Sequence, residues 1–111
     1  MAGTIFFSDD KSWAGSSSEF NLALDALITL VLDSRSKMQL VEISEENIRM
    51  LDIEGLPERG RAEVLRYLAD GRHWEAAKEM IIGGEEWVDA REKPMKELSA
   101  LAVSELKASE E

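Results

Sequence analysis

The sequence has 111 residues, of which 44% are hydrophobic and 32% charged, with a formal net charge of −10. This length fits a single domain over residues 1–111, and the composition is typical of a folded globular protein rather than a disordered one. The chain has no cysteine, which excludes disulfides, cysteine-based zinc sites and cysteine nucleophiles.

The excess of negative charge is the strongest compositional signal. Asp and Glu number 23 against 13 Lys and Arg, and such a surface repels nucleic acids and anionic lipids but attracts basic proteins. The N-terminal apolar run has no basic segment before it, unlike a secretory signal. The longest apolar run, residues 26–32, is far below the ~20 residues of a membrane span. We therefore expect a cytoplasmic protein with no membrane or nucleic-acid partner.

The first predicted element is a short strand over residues 3–7. Its sequence, GTIFF, is rich in β-branched and aromatic residues, and the polar residues that follow end it. Residues 12–18, SWAGSSS, are mostly small and polar, which predicts a loop between this strand and the next element.

The next segment predicts a long, largely buried helix over 18–34. Ser16 and Glu19 have the spacing of a capping box, in which each side chain accepts a free backbone N–H. A polar residue recurs at every fourth position from 21 to 33, while apolar residues cover the other faces. The same polar stripe also fits a period of two, so a β-hairpin over 26–43 is the alternative.

A second strand and a short helix are predicted next. MQLVEI, residues 38–43, has the β-branched content of a strand. Ser44 has the position of a helix N-cap, and acidic residues follow it in the first turn, where the helix dipole favours negative charge. These signals predict a helix over 45–53, which Gly55 and Pro57 would end.

The second half of the chain is predicted to be helical. One helix ends at Gly71, and a second over 73–82 ends at the Gly83–Gly84 pair. Around Gly71 the sequence YLADGRHWEAAKEMI resembles the turn of a tetratricopeptide helix pair. No second copy follows 34 residues away, so we interpret it as an ordinary pair of antiparallel helices.

The last predicted helix begins at Pro94, since proline suits the first helical position. Residues 85–93 before it are predicted to be a short helix or a loop. Along the last helix one apolar stripe is formed by Met95, Leu98, Ala102 and Leu106.

These elements predict an α+β, mostly helical fold, with about five helices and a small two- or three-stranded sheet. The strands at 3–7 and 38–43 would pair in parallel across the first helix, with a right-handed crossover. The helical second half would then cover this unit.

The only histidine and the three tryptophans are the first candidates for a site. His73 has no Ser, Cys or Asp at a recognisable nucleophile spacing and no metal-binding partner motif, so a structural role is favoured over a catalytic one. Trp74 is in phase with the apolar stripe of its helix, which predicts core packing. Trp13 and Trp87 fit core packing and an exposed partner anchor equally well.

Other motifs point to no chemistry. The adjacent carboxylate pairs, such as Glu85–Glu86, would diverge by about 100° on a helix, unlike the facing carboxylates of glycosidases. No calcium loop or phosphate-binding glycine motif occurs. The arginines at 59–72 are expected to pair locally with Glu58, Glu63 and Asp70. A DNA-reading helix at 73–82 is rejected because its carboxylates would repel phosphates.

Two acid-rich segments, 42–54 and 75–92, remain as candidate binding features. We expect a protein-binding inhibitor rather than an enzyme, with a basic partner, no metal and no cofactor. In size and charge the chain is similar to bacterial immunity proteins, which block a basic toxin or nuclease. The predicted partner-binding residues are Glu75, Glu79, Glu85, Glu86, Trp87 and Asp89. The alternatives are a small enzyme using His73 and a homo-oligomeric scaffold or accessory subunit using the stripe of 95–106.

Overall fold

The computed structural model describes residues 2–8 and 10–110. Within these residues the elements are β1 (Ala2–Ser8), β2 (Lys11–Ser16), α1 (Ser17–Leu30), α2 (Ser34–Glu45), β3 (Met50–Asp52), α3 (Glu58–Asp70), α4 (Arg72–Met80) and α5 (Glu85–Glu110). A 3-10 turn, Ile53–Gly55, joins β3 to α3. Five α-helices with a three-stranded sheet over the described residues confirm the predicted mostly helical α+β fold.

The sheet has the order β2-β1-β3, with β1 antiparallel to β2 and parallel to β3. The strand predicted at 3–7 is confirmed as part of β1. The loop predicted at 12–18 is wrong, because residues 11–16 pair with β1 and place Trp13 opposite Ile5. Both side chains are buried in the core. Burial of one tryptophan thus holds a sequence of small polar residues in an extended strand.

The capping box at the start of α1 is confirmed. Ser16 Oγ accepts a hydrogen bond from Glu19 N at 3.2 Å, and Glu19 Oε1 accepts one from Ser16 N at 2.7 Å. The helix buries Phe20, Leu24 and Leu27 and ends at Leu30, four residues before the predicted end. The alternative hairpin over 26–43 is therefore wrong.

Helix α2 replaces the strand predicted at 38–43, which is the main error in the predicted fold. Asp33 caps this helix by accepting hydrogen bonds from Ser36 N at 3.1 Å and from Ser36 Oγ at 2.7 Å. These bonds from Ser36, and to a smaller extent nearby Arg59 and Arg35, hold the pKa of the Asp33 carboxyl below its ordinary value. Leu40 is buried on the inward side of the helix.

The helix predicted at 45–53, with Ser44 as its cap, is also wrong. Ser44 lies within α2, and the chain turns at Asn47, whose φ of 55° is a left-handed conformation that asparagine tolerates. Residues 50–52 then run parallel to β1, with Leu51 opposite Ile5. The parallel pairing was predicted for β1, but its partner is this later, three-residue strand.

The helical second half is confirmed, with one difference at Pro94. Gly71 ends α3 in the left-handed region, at φ 90°. Helix α5 continues through Pro94 instead of beginning there. Its predicted stripe is buried at Met95, Leu98 and Ala102 against the sheet and the other helices. Three residues of the stripe are therefore part of the core, and the fourth, Leu106, is partly buried against it.

Candidate functional site

Trp87 lies on the surface at the start of α5, where the Gly83–Gly84 linker places it. Gly83 has a φ of 134°, and a side chain there would overlap the Trp87 ring, so glycine lets the indole lie against the backbone. Trp87 remains 56% exposed, and neighbouring Ile82 is 95% exposed. Of the two roles predicted for Trp87, the structure shows the surface position.

A depression of about 310 Å³ is formed where α1, the α4–α5 linker and α5 meet. We call it the Trp87 surface, and its lining residues are Ser18, Leu22, Ile81, Ile82, Trp87 and Arg91. Arg91 is engaged within the chain, since Nη2 donates to Ser18 Oγ at 3.0 Å and Nη1 lies 3.9 Å from Glu19 Oε2. The exposed part of this surface is therefore mainly apolar.

The predicted acidic residues do not form one continuous patch with Trp87. Residues on a helix diverge by about 100° per position, so Glu85 and Asp89 lie nearly opposite Trp87 on α5. Asp89 lines a separate depression with Lys93 and Lys96. Glu86 is closer in angle to Trp87 than either of these. All three carboxylates are exposed, and none forms an ion pair within the described part of the chain.

Glu75 and Glu79 occupy another side of the molecule, on α4. They line a depression of about 430 Å³ together with Leu30 and Arg72. Glu75 also pairs with Lys78, at 3.0 Å between Oε1 and Nζ. Four of the six predicted residues therefore line three different depressions: Glu75 and Glu79 line one, Trp87 a second and Asp89 a third. Glu85 and Glu86 line none of these three, so the structure does not bring the six residues to one site.

The other two tryptophans pack inward. Trp13 is buried, and its Nε1 donates a hydrogen bond to the Pro94 carbonyl oxygen at 3.0 Å. Trp74 packs against the core as predicted, and Lys78 Nζ lies 5.8 Å from its ring centre. Trp13 therefore has the core role and not the anchor role.

His73 is enclosed between α4 and α1. It is 1% exposed, and its Nε2 lies 3.0 Å from the Ala23 carbonyl oxygen, which requires the proton on that nitrogen. Burial lowers the pKa of His73, an effect that the hydrogen bond to Ala23 partly opposes. A neutral, enclosed ring anchors two helices, and it offers almost no surface to a substrate.

This burial makes stability depend on pH. The unfolded chain binds a proton at His73 near the ordinary pKa of 6.5, whereas the folded chain resists it. Protonation of His73 therefore does not change the free energy of unfolding above this pH. The free energy of unfolding decreases as the pH falls below this value, by up to about 1.4 kcal/mol per pH unit. Urea unfolding at pH 7.5, 6.5 and 5.5 measures the loss. For the His73→Gln variant, the free energy of unfolding should change less with pH. An equally large change in this variant would show that His73 does not cause the pH dependence.

The predicted arginine pairs are formed only in part. Arg72 Nε lies 3.3 Å from Asp70 Oδ2, as predicted. Glu63 instead accepts hydrogen bonds from backbone N–H groups, so its predicted pairing with an arginine is wrong. Among the described residues, no cluster of three His, Asp or Glu side chains is arranged to hold a metal ion. The described helices also include none that is long and apolar enough to cross a membrane.

Comparisons with protein-family models, curated protein sequences and solved structures found no match to this chain.

One surface was missed by the sequence reasoning. Met38, on α2, is 72% exposed, yet the prediction of a strand at 38–43 gave no reason to expect an outward helical face there. The available signal was the helical spacing of Arg35, Met38, Glu42 and Glu45, which all line one groove.

Proposed function

We propose that the protein binds another protein through the Trp87 surface and acts as an inhibitor by covering a basic groove of that partner. The observation that carries this proposal is the pair of exposed apolar side chains, Ile82 and Trp87, that border one depression. Tryptophan is enriched among the residues that dominate binding energy at interfaces, where it fills a pocket of the partner. Isolated exposed apolar residues need no such explanation, but two adjoining ones on one surface favour it.

The charge supports a basic partner. Glu85, Glu86 and Asp89 are exposed around the first turns of α5 without ion pairs among the described residues. Two of them also stabilise the helix N-terminus, which is their competing structural role. With a net charge of −10, the molecule would attract a basic protein over long range and speed its association. On the basis of its size and charge, we propose that it acts as a cytoplasmic inhibitor similar to the bacterial immunity proteins.

The test compares matched bait proteins in affinity capture from the native cell. Trp87→Ala and Ile82→Ser should each lose the partner, with affinity of the purified pair reduced by about 30-fold or more. Leu32→Ser is the control, because Leu32 is 82% exposed but lies outside the Trp87 surface. A partner retained equally by all baits would contradict the site.

The carboxylates are tested by kinetics with the same purified partner. The triple variant Glu85→Gln, Glu86→Gln and Asp89→Asn should slow association at low salt and change dissociation little, because these charges act at long range. The matched control is the triple variant Glu46→Gln, Glu54→Gln and Glu97→Gln, which removes the same number of exposed carboxylates outside the Trp87 surface. Unchanged association for the triple variant would remove these residues from the site.

A further inference from the structure

The outward face of α2 has no partner within the described chain. Arg35, Met38, Val41, Glu42 and Glu45 line an open groove of about 850 Å³, with Pro57 at its border. A second depression shares Glu42 and adds Ile48, which is 43% exposed. An apolar centre therefore lies between charged ends along one helix, and this face shares no residue with the Trp87 surface.

The charges of α2 are segregated along its length. Arg35 and Lys37 lie in the first half, and Glu42 and Glu45 lie in the second half. None of these four exposed side chains forms an ion pair with another described residue.

This order of charges opposes the stability of the isolated helix. The helix dipole favours acidic residues in the first turn and basic residues in the last, and α2 has neither. Apart from its Asp33 cap, the helix therefore keeps its charges where they stabilise it least. An identical helix that runs antiparallel beside α2 would place acidic residues next to its basic first half and basic residues next to its acidic second half.

We propose that α2 docks antiparallel against α2 of a second copy of this chain. In the register that places Met38 of one helix beside Val41 of the other, the basic half of each helix lies along the acidic half of its partner. Such an interface is self-complementary about a two-fold axis, as closed dimers require. The 12 residues of α2 span about 18 Å, so the interface between the two copies is small. The dimer therefore forms only at high protein concentration.

Sedimentation from about 10 µM to about 1 mM protein measures this association. The average mass should rise from 12.4 kDa towards twice that value. The double variant Arg35→Glu and Lys37→Glu should weaken the dimer by about tenfold or more, since each substitution occurs twice in the interface. Adding Glu42→Lys and Glu45→Lys reverses the whole pattern and should restore the dimer.

The control for the double variant is Lys93→Glu with Lys107→Glu, which makes the same charge change at exposed positions of α5. Met38→Gln, at an exposed position, removes the apolar centre without loading the core and should also give a monomer. A wild-type chain that is monomeric throughout would overturn the proposal, as would a double variant that dimerises normally. Neither result bears on partner capture through Trp87, so the two proposals fail separately.

Discussion

Replacing Glu63 with alanine is expected to lower the free energy of unfolding by about 2–4 kcal/mol, because charge-assisted hydrogen bonds would be lost. The Glu63 carboxylate is buried and accepts bonds from Leu32 N and Asp33 N, both at 2.9 Å. Tyr67 Oη donates a third bond to it at 3.2 Å. One side chain of α3 therefore holds the backbone between α1 and α2.

Urea unfolding of three variants tests this role. Tyr67→Phe removes only the third hydrogen bond and should cost about 1 kcal/mol, less than Glu63→Ala. Glu97→Ala, which removes an exposed carboxylate, should change stability by less than about 0.5 kcal/mol. Equal effects of Glu63→Ala and Glu97→Ala would show that the carboxylate does not hold this turn.

The elements predicted correctly are those whose local signals were complete. The capping box of Ser16 and Glu19 and the left-handed stop at Gly71 depend on neighbouring residues, so the sequence alone contains them. The same is true of the apolar stripe through Met95 and Leu98, which is buried as its helical spacing predicts.

The elements predicted wrongly depend on contacts between distant residues. In α2 the inward positions include Ser36, a polar residue that breaks the apolar stripe, so the β-branched residues of 38–43 are the clearer local signal. Ser36 is buried because α3 packs against it at Gly60, a contact that the local sequence does not predict. Strand β2 has mainly small residues and is held by pairing to β1, with Trp13 opposite Ile5. Such pairing overrides weak local propensity.

The candidate site was predictable as a set of exposed residues but not as a surface. Charge and sequence context selected Trp87 and its acidic neighbours, and all of them are exposed. Which of them share a face depends on the first turn of α5. The chain enters that helix through Gly83, whose conformation lets Trp87 lie against the linker while Asp89 turns away. The number of charges along the chain does not predict the angle between Trp87 and Asp89 on the helix.

Gly60→Ala is expected to destabilise the protein by about 2–3 kcal/mol, as overpacking of a closely packed helix contact does. Gly60 lies in α3 against α2, and an added methyl group would overlap Ser36 Oγ and Cβ. Ser36 cannot rotate away without loss of its bond to Asp33 Oδ2 at 2.7 Å. The direction of the change in unfolding free energy is informative, because a Gly→Ala substitution at an open helix position stabilises a protein by about 1 kcal/mol.

A double-mutant cycle separates this contact from other effects of the substitution. Ser36→Gly removes the overlapping atoms, so Gly60→Ala should cost at least about 1 kcal/mol less in that background than in the wild type. Gly84→Ala is the control, since a methyl group there meets no atom within 4 Å. Additive effects of the two substitutions in urea unfolding would contradict the contact. Coupling between them would show that Gly60 lets α3 pack closely against Ser36 of α2, the helix that replaces the strand predicted at 38–43.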